Sequence, residues 1–179
     1  HLCWHEGVSA SASCRLCTVV ADGRPVAACV TPAVAGQRVE CHTAALKTRR
    51  LHLLQMLFVE GNHFCPGCEK SGNCQLQHQA ERAGMTDLHY EPLHPERPVD
   101  ASHPDVWFEP NRCILCQLCV RASDELDGKR VFAIGGHGIG AKLLIDSESG
   151  RLGDSALSVE DRAAHICPVG ALLPKRAGL

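Results

Sequence analysis

Cysteine is the residue type with the most chemical capacity in this chain, and its spacing is patterned. Twelve cysteines occur in 179 residues. The tightest run reads C-x2-C-x2-C, and a distant cysteine followed by proline comes much later. Three thiolates at this spacing wrap three corners of a cubane iron–sulfur cluster, and a remote Cys-Pro supplies the fourth ligand. The predicted ligands of this [4Fe–4S] cluster are Cys113, Cys116, Cys119 and Cys167.

The same run predicts one cluster rather than two. A two-cluster ferredoxin would place a further cysteine four residues after Cys119, where this chain has Ser123. Zinc binding and a disulfide are the alternative uses of these thiols, but the spacing favours a cluster over both.

The first four cysteines have a looser pattern, C-x10-C-x2-C-x11-C. One tight pair with two single cysteines is typical of plant-type [2Fe–2S] sites. The loop 6–13 is rich in glycine, serine and alanine, so its backbone N–H groups can face sulfur. Residues 18–28 predict a strand, an Asp-Gly turn and a second strand, which returns the last thiolate to the site. The predicted ligands are Cys3, Cys14, Cys17 and Cys29, with zinc as the alternative metal.

The middle group holds three cysteines, which is one ligand short of a cubane site. Cys65, Cys68 and Cys74 are preceded by His63, which we take as the fourth ligand of a second [4Fe–4S] cluster. A neutral imidazole in place of a thiolate removes one negative charge, so it should raise the reduction potential of the cluster. Two alternatives stay open: His63 is a surface residue, or Cys41 is the ligand. Cys41 otherwise remains as a structural or partly buried free thiol.

Composition narrows the function further. The formal net charge is −2, which argues against nucleic acid or an acidic membrane surface as the main partner. No apolar run approaches the roughly 20 residues of a membrane-spanning helix, and no signal peptide is visible. Aromatic residues make up 4% of the chain, so metal binding must contribute folding free energy that a large core would otherwise supply.

Iron–sulfur clusters also indicate where the protein works. They imply a reducing compartment, and we expect the cytoplasm.

Periodicity and capping signals place these motifs on short elements. A helix capped by His42 or Thr43 should run to a stop at Gly61, and a second helix should span residues 75–82. The proline-rich stretch 85–106 predicts an extended connector whose three histidines (His89, His94, His103) are solvated.

The last part of the chain should hold a helix through residues 120–126 that starts inside the cysteine run, strands at 130–134 and 141–146, and a helix at 159–165 capped by Ser158. The glycines between the two strands match G-x-G-x-x-[GA] only formally, because a strand and not a helix follows. No catalytic motif occurs, so one-electron transfer is the chemistry that the sequence supports.

The residues at these motifs resemble a known family. Residues 60–77, residues 112–120 and the stretch from Ile166 to Gly178 look like the cluster motifs of the diaphorase small (gamma) subunit of soluble NAD-reducing [NiFe]-hydrogenases. That family is similar to the N-terminal part of the large iron–sulfur subunit of respiratory complex I. The complex I relatives carry their histidine ligand at the position of Gly61. The family also has a longer segment before the first cysteine, so we expect the first module to lack its N-terminal part.

The resemblance implies an electron-transfer subunit that is not itself catalytic. It implies one [2Fe–2S] and two [4Fe–4S] clusters. The partners would be a diaphorase large subunit with FMN and the NAD(H) site, and the small and large [NiFe]-hydrogenase subunits with the NiFe centre. The alternatives are the equivalent subunit of a complex I-like NADH dehydrogenase or of an NAD-dependent formate dehydrogenase. A zinc-stabilised interaction module and a free-standing ferredoxin are further alternatives.

The expected fold is α+β, with small iron–sulfur modules in series. Residues 1–41 should form a partial β-grasp [2Fe–2S] ferredoxin-like domain. Residues 42–105 should form a helical His/Cys [4Fe–4S] module with its connector. Residues 106–179 should form a ferredoxin-like [4Fe–4S] domain.

Overall fold

Short strands and short helices are mixed along the chain, as expected for an α+β protein. The structure is a computed structural model that describes residues 1–175, so Arg176 to Gly178 of the resemblance lie outside the described residues. The strands are β1 (Thr18–Ala21), β2 (Arg24–Ala27), β3 (Val39–Glu40), β4 (Val106–Phe108), β5 (Phe132–Gly135), β6 (Lys142–Ile145) and β7 (Leu172–Pro174). The helices are α1 (Ala44–Glu60), α2 (Gln75–Arg82), α3 (Leu118–Glu125) and α4 (Arg162–His165).

The predicted hairpin near the N-terminus is confirmed. Strands β1 and β2 pair antiparallel, with Thr18 opposite Ala27. Asp22 and Gly23 form the turn with φ values of 47° and 80°, the left-handed conformations that such a two-residue turn requires. Cys17 lies directly before β1, so the hairpin brings it back beside Cys29. Strand β3 joins β1 as a third strand that the sequence did not indicate, because it is two residues long.

Both predicted helices of the middle segment are confirmed. The Thr43 hydroxyl accepts a hydrogen bond from the Leu46 N–H at 3.2 Å, which caps α1. Gly61 ends that helix. The buried Gln55 side chain then pins the connector, because its amide donates to the Asp87 carbonyl at 2.7 Å and accepts from the His89 N–H at 2.9 Å.

One histidine of the connector corrects the expectation of solvated side chains. His103 is buried, with 7% of its surface exposed. Its Nδ1 accepts hydrogen bonds from the Asp105 and Val106 N–H groups, and its Nε2 pairs with the Leu157 carbonyl at 3.0 Å. The ring therefore joins the connector to the C-terminal segment, and its role is structural.

The C-terminal segment contains two small antiparallel sheets. The hairpin β5–β6 was predicted, whereas the pairing of β4 with β7 was not. Helix α4 begins at Arg162 and not at the predicted Val159. The reason is that the Asp161 carboxylate accepts the Ser158 N–H at 2.7 Å, while the Asp127 carboxylate accepts the first N–H groups of the helix. Asp161, and not Ser158, therefore stands at the N-cap.

The three predicted modules share one hydrophobic core. Buried side chains from the N-terminal loop, from α1 and α2, and from the C-terminal segment belong to a single cluster, which includes Leu2, Leu54, Leu76, Val106 and Leu172. None of the helices within residues 1–175 is long and apolar enough to cross a membrane.

The cap of α1 generates a stability prediction. Thr43→Ala should lower the free energy of unfolding by about 1 kcal/mol, because the Leu46 N–H loses its acceptor. Chemical denaturation of the cluster-loaded protein, followed by circular dichroism, measures this. Thr48→Ala is the matched control, since Thr48 is exposed on the same helix. An equal effect of both substitutions would contradict the capping assignment.

Candidate iron–sulfur sites

The four N-terminal cysteines lie together as two pairs. The Cys14 N–H donates to the Cys3 sulfur at 3.4 Å, and the Cys17 and Cys29 sulfurs are 3.4 Å apart. The electrostatic interaction of Cys29 with both Cys17 and Cys3 places the two pairs beside each other. The site therefore offers two pairs of sulfur ligands.

Backbone N–H groups point at these sulfurs, and one of them, that of Ala12 toward Cys29, belongs to the loop 6–13 for which this was predicted. Burial raises the pKa of the Cys3 thiol, but hydrogen bonds from the Cys14 N–H and from the Ser13 and Ser11 side chains outweigh it and lower the pKa to about 7. The Leu2 N–H donates to the Cys14 sulfur at 3.4 Å. Donors of this kind stabilise sulfur as an anion, which is the form that binds metal.

The second predicted ligand set lines one cavity. The four predicted ligand side chains line this cavity together with Phe58, Leu76 and Val169, so the surroundings of the ligands are largely apolar. The ligand side chains are those of His63, Cys65, Cys68 and Cys74. Phe64, which lies between His63 and Cys65, has φ −75° and ψ 81°, close to the conformation of an inverse γ-turn, so the backbone changes direction between these two residues of the cavity.

The imidazole of His63 is prepared to act as a neutral ligand. Burial, with the nearby positive charge of Arg112, lowers its pKa to about 4, while a hydrogen bond to the Leu57 backbone opposes this. The Nε2 atom is buried without a hydrogen-bond partner among the described residues, so the bond to Leu57 is made by Nδ1. A ring whose Nδ1–H is tied to a carbonyl presents the lone pair of Nε2, which is the usual arrangement of a metal-binding histidine.

Gly61 makes room for this ring. A Cβ atom at position 61 would lie 2.6 Å from the Nε2 atom of His63 and 2.6 Å from the Asn111 carbonyl oxygen. The ring of His63 therefore occupies the space that a side chain at position 61 would fill.

Arg112 supplies a positive charge at the wall of the same cavity. Its guanidinium bonds to the Glu69 carboxylate at 2.7 Å and lies over the Trp107 ring, 5.5 Å from the centroid. Gly170 approaches the same site from the other side, since a Cβ atom there would lie 2.7 Å from the Cys68 sulfur. Gly170 follows Cys167 by three residues, so the second and third sites are neighbours.

The third predicted set also lines one cavity, and this one is more apolar. Phe108, Leu143 and Leu172 are among its walls. The ligand side chains are those of Cys113, Cys116, Cys119 and Cys167. Burial raises the pKa of the Cys113 thiol to about 11, and it also raises those of Cys116 and Cys119 well above the usual thiol value. Without a compensating positive charge, these thiols would stay protonated.

The backbone around the cysteines takes left-handed turns at residues other than glycine. Leu115 and Gln117 have φ values of 51° and 62°, and Ala12 and Arg15 in the first site have 55° and 56°. Each such residue costs about 1–2 kcal/mol. Residues of this kind cluster at functional sites, where the surrounding structure enforces them. Here they turn the N–H groups of Leu115 and Leu118 toward sulfur.

Two features were not visible from the sequence. Cys41 is exposed, which corrects the expectation of a partly buried thiol, and it does not line the cavity of His63. Arg121 is buried and bonds to both Cys3 and Cys116 through their carbonyls. Its position two residues after Cys119 carries no signal of these contacts. All twelve cysteines lie within the described residues, and none of them forms a disulfide there.

Three known protein families match three successive segments of the chain, and each segment contains one of the predicted ligand groups. Residues 1–44 match the family model of a 2Fe-2S iron–sulfur cluster binding domain. Residues 50–89 match the NADH-ubiquinone oxidoreductase-G iron–sulfur binding region, and residues 103–173 match the ferredoxin-like domain of NADH-quinone oxidoreductase subunit 3. The chain is thus an iron–sulfur protein of the class that includes these oxidoreductase subunits.

Two relatives narrow this class. The chain is 37% identical to the NAD-reducing hydrogenase HoxS subunit gamma of Cupriavidus necator, over 99% of this chain and 75% of that protein. It superposes with a TM-score of 0.96 and 57% identity on a chain of the NAD+-reducing [NiFe]-hydrogenase crystallised in the H2-reduced state, covering 100% of this chain and 76% of that one. The chain belongs to the family of the NAD-reducing hydrogenase gamma subunits.

More distant relatives are larger proteins. The NADPH-Fe(3+) oxidoreductase subunit alpha of Geobacter sulfurreducens is 31% identical over 97% of this chain, which spans 20% of that protein. The 78 kDa subunit of NADH-ubiquinone oxidoreductase of Candida albicans is 29% identical, and the chain spans 24% of it.

The space at Gly61 gives a test of the second site. Gly61→Ala should displace the His63 ring and change the reduction potential and the EPR spectrum of one cluster, because the new methyl group would overlap Nε2. A redox titration followed by EPR on the assembled complex measures this. Gly140→Ala is the control, since a Cβ atom there meets nothing within 4 Å. Unchanged cluster properties in Gly61→Ala would remove His63 from the ligand set.

Proposed function

We propose that this chain relays electrons between a [NiFe]-hydrogenase module and a diaphorase subunit that holds FMN and the NAD(H) site. The observation that carries the proposal is the gathering of the twelve predicted ligands into three separate groups within one core. The family of the chain supports the same function.

We assign one cluster to each group. The N-terminal group would hold [2Fe–2S], and its two sulfur pairs suit two iron atoms that each take two thiolates. These ligands are Cys3, Cys14, Cys17 and Cys29. The middle group would hold the first [4Fe–4S] cluster through His63, Cys65, Cys68 and Cys74. The last group would hold the second [4Fe–4S] cluster through Cys113, Cys116, Cys119 and Cys167.

The arrangement of the donors favours clusters over zinc. Four thiolates on one zinc ion lie about 2.3 Å from the metal, so all the sulfurs converge on a single point. Within residues 1–175, no three His, Cys, Asp or Glu side chains converge in this way. A cluster core would instead take its ligands from the walls of a cavity, and the second and third ligand sets each line one.

The polypeptide would act on the clusters without any catalytic residue of its own. When bound, the clusters supply one-electron oxidation and reduction. The cavity walls exclude water, the N–H groups that face sulfur stabilise the added electron, and neutral His63 favours a higher potential than a fourth thiolate would. The C-terminal group is linked to both of the others, because Arg121 joins it to the first and Gly170 to the second.

The modules follow the same assignment. Residues 1–41 would form a partial β-grasp ferredoxin-like domain, residues 42–105 a helical His/Cys module and residues 106–179 a ferredoxin-like domain. The partners would be the diaphorase large subunit and the two hydrogenase subunits, with FMN, NAD and the NiFe centre held there. We place the complex in the cytoplasm, because iron–sulfur clusters imply a reducing compartment. Membership in a complex I-like NADH dehydrogenase or a formate dehydrogenase is the weaker candidate, because the identity to the hydrogenase gamma subunit is 37% and that to the 78 kDa complex I subunit of Candida albicans is 29%.

The proposed electron relay is tested by measuring hydrogen-dependent NAD reduction separately from two partial reactions, in which a dye accepts electrons from hydrogen or from NADH. Cys167→Ser in the purified complex should abolish hydrogen-dependent NAD reduction, because the third cluster loses a ligand. Dye reduction with hydrogen at one end, and with NADH at the other, should remain within about twofold of the wild type. Kinetic assays of the three reactions measure this.

Cys41→Ser is the matched control, since that thiol is exposed and lines neither cavity. It should leave all three reactions unchanged. Full hydrogen-dependent NAD reduction by Cys167→Ser would contradict the relay.

A further inference from the structure

Arg121 is a buried cation that joins the loop of the first site to the loop of the third. It lies on α3 and is 9% exposed. One terminal nitrogen donates to the Cys3 carbonyl at 2.8 Å and to the Cys116 carbonyl at 3.1 Å. The other terminal nitrogen donates to the Ser9 carbonyl, and Nε donates to the Gln117 carbonyl at 3.1 Å. A single guanidinium thus contacts the backbone of one predicted ligand of the first site and of one predicted ligand of the third site.

The chemistry of these contacts is unusual for a buried arginine. A buried charge is costly unless it is paired and fully hydrogen-bonded. Four carbonyl groups accept hydrogen bonds from Arg121, but none of them carries a full negative charge. The carboxylate of Glu125, an exposed residue, is one negative charge that interacts with the guanidinium. The thiolates of the two sites would add further negative charge, and the side chain already interacts electrostatically with the Cys116 sulfur.

A second group on the same helix holds the same loop. The Glu125 carboxylate accepts the Ser9 N–H at 2.7 Å and also accepts the Ser9 hydroxyl. The Ser13 hydroxyl donates to the Cys116 carbonyl at 3.5 Å. Helix α3 follows directly from the cysteine run of the third site, so these contacts fix the first loop relative to that run.

We propose that Arg121 is a positioning residue for electron transfer, which holds the first and third ligand loops at a fixed separation and places one positive charge beside both clusters. The inference rests on the ligand sets of the proposed function. A positive charge favours the reduced, more negative state of a nearby cluster, so Arg121 raises both reduction potentials. The second cluster lies near Arg112 instead and should not respond.

Removing the charge of Arg121 should shift two clusters and spare one. In the assembled complex with Arg121→Gln, the ratio of reduced to oxidised cluster at a fixed potential should fall about tenfold for the first and third clusters. This corresponds to about 59 mV for a one-electron couple. The second cluster should change by less than about twofold. Redox titration followed by EPR separates the three signals.

Arg121→Lys separates the effect of the positive charge from the effect of the hydrogen bonds that join the two ligand loops. Lysine keeps the positive charge but lacks the planar fork that reaches both carbonyls. The two potentials should stay within about twofold of the wild-type ratio, while hydrogen–deuterium exchange of the amides in residues 8–14 should become about tenfold faster. Arg130→Gln is the control, because Arg130 is 81% exposed and pairs with Asp124. It should change neither measurement.

Each outcome decides the proposal. Wild-type potentials in Arg121→Gln, or an equal shift of all three clusters, overturn it. If Arg121→Gln does not assemble, Arg121→Lys decides: near-wild-type potentials with faster exchange support the proposal, and wild-type exchange or loss of both clusters overturns it. A wild-type complex with no iron in this chain would instead refute the proposed function itself.

Discussion

Sulfur atoms held close together in apolar surroundings are the constraint on which the rest of this structure depends. Burial raises the pKa values of three thiols of the third site, that of Cys113 to about 11 and those of Cys116 and Cys119 well above the usual thiol value. Thiolates in such a place require positive charge among them, and a cluster of iron ions provides it. The left-handed backbone turns, the N–H groups that face sulfur and the Nε2 atom of His63, which has no hydrogen-bond partner among residues 1–175, are all consistent with that requirement.

The same constraint explains how a chain with so few aromatic residues folds. Its apolar side chains form one continuous core that runs from Leu2 to Leu172, and the predicted cluster sites are embedded in it. Each segment alone has few buried residues, so the segments depend on one another and on metal for stability. Polar residues then join the segments at chosen points: Gln55 and His103 hold the connector, and Arg121 joins two ligand loops.

Local patterns in the sequence predicted much of this arrangement because they depend on neighbouring residues. The Asp-Gly turn, the Thr43 cap and the Gly61 stop are short-range signals, and the structure has each of them. The pairing of β4 with β7 and the capping of α4 by Asp127 arise from contacts between distant segments. No local pattern encodes them. The burial of His103 and Arg121 belongs to the same category, since both side chains are polar residues whose partners lie far away in the chain.

An X-ray anomalous difference map of the assembled complex, collected at the iron absorption edge, tests the central claim most directly. The account predicts iron density at three places in this chain, one within each group of four ligands, and His63 Nε2 in contact with the density of the second. Peaks that appear only at the zinc edge, or continuous density that joins the sulfurs in disulfides, would contradict it.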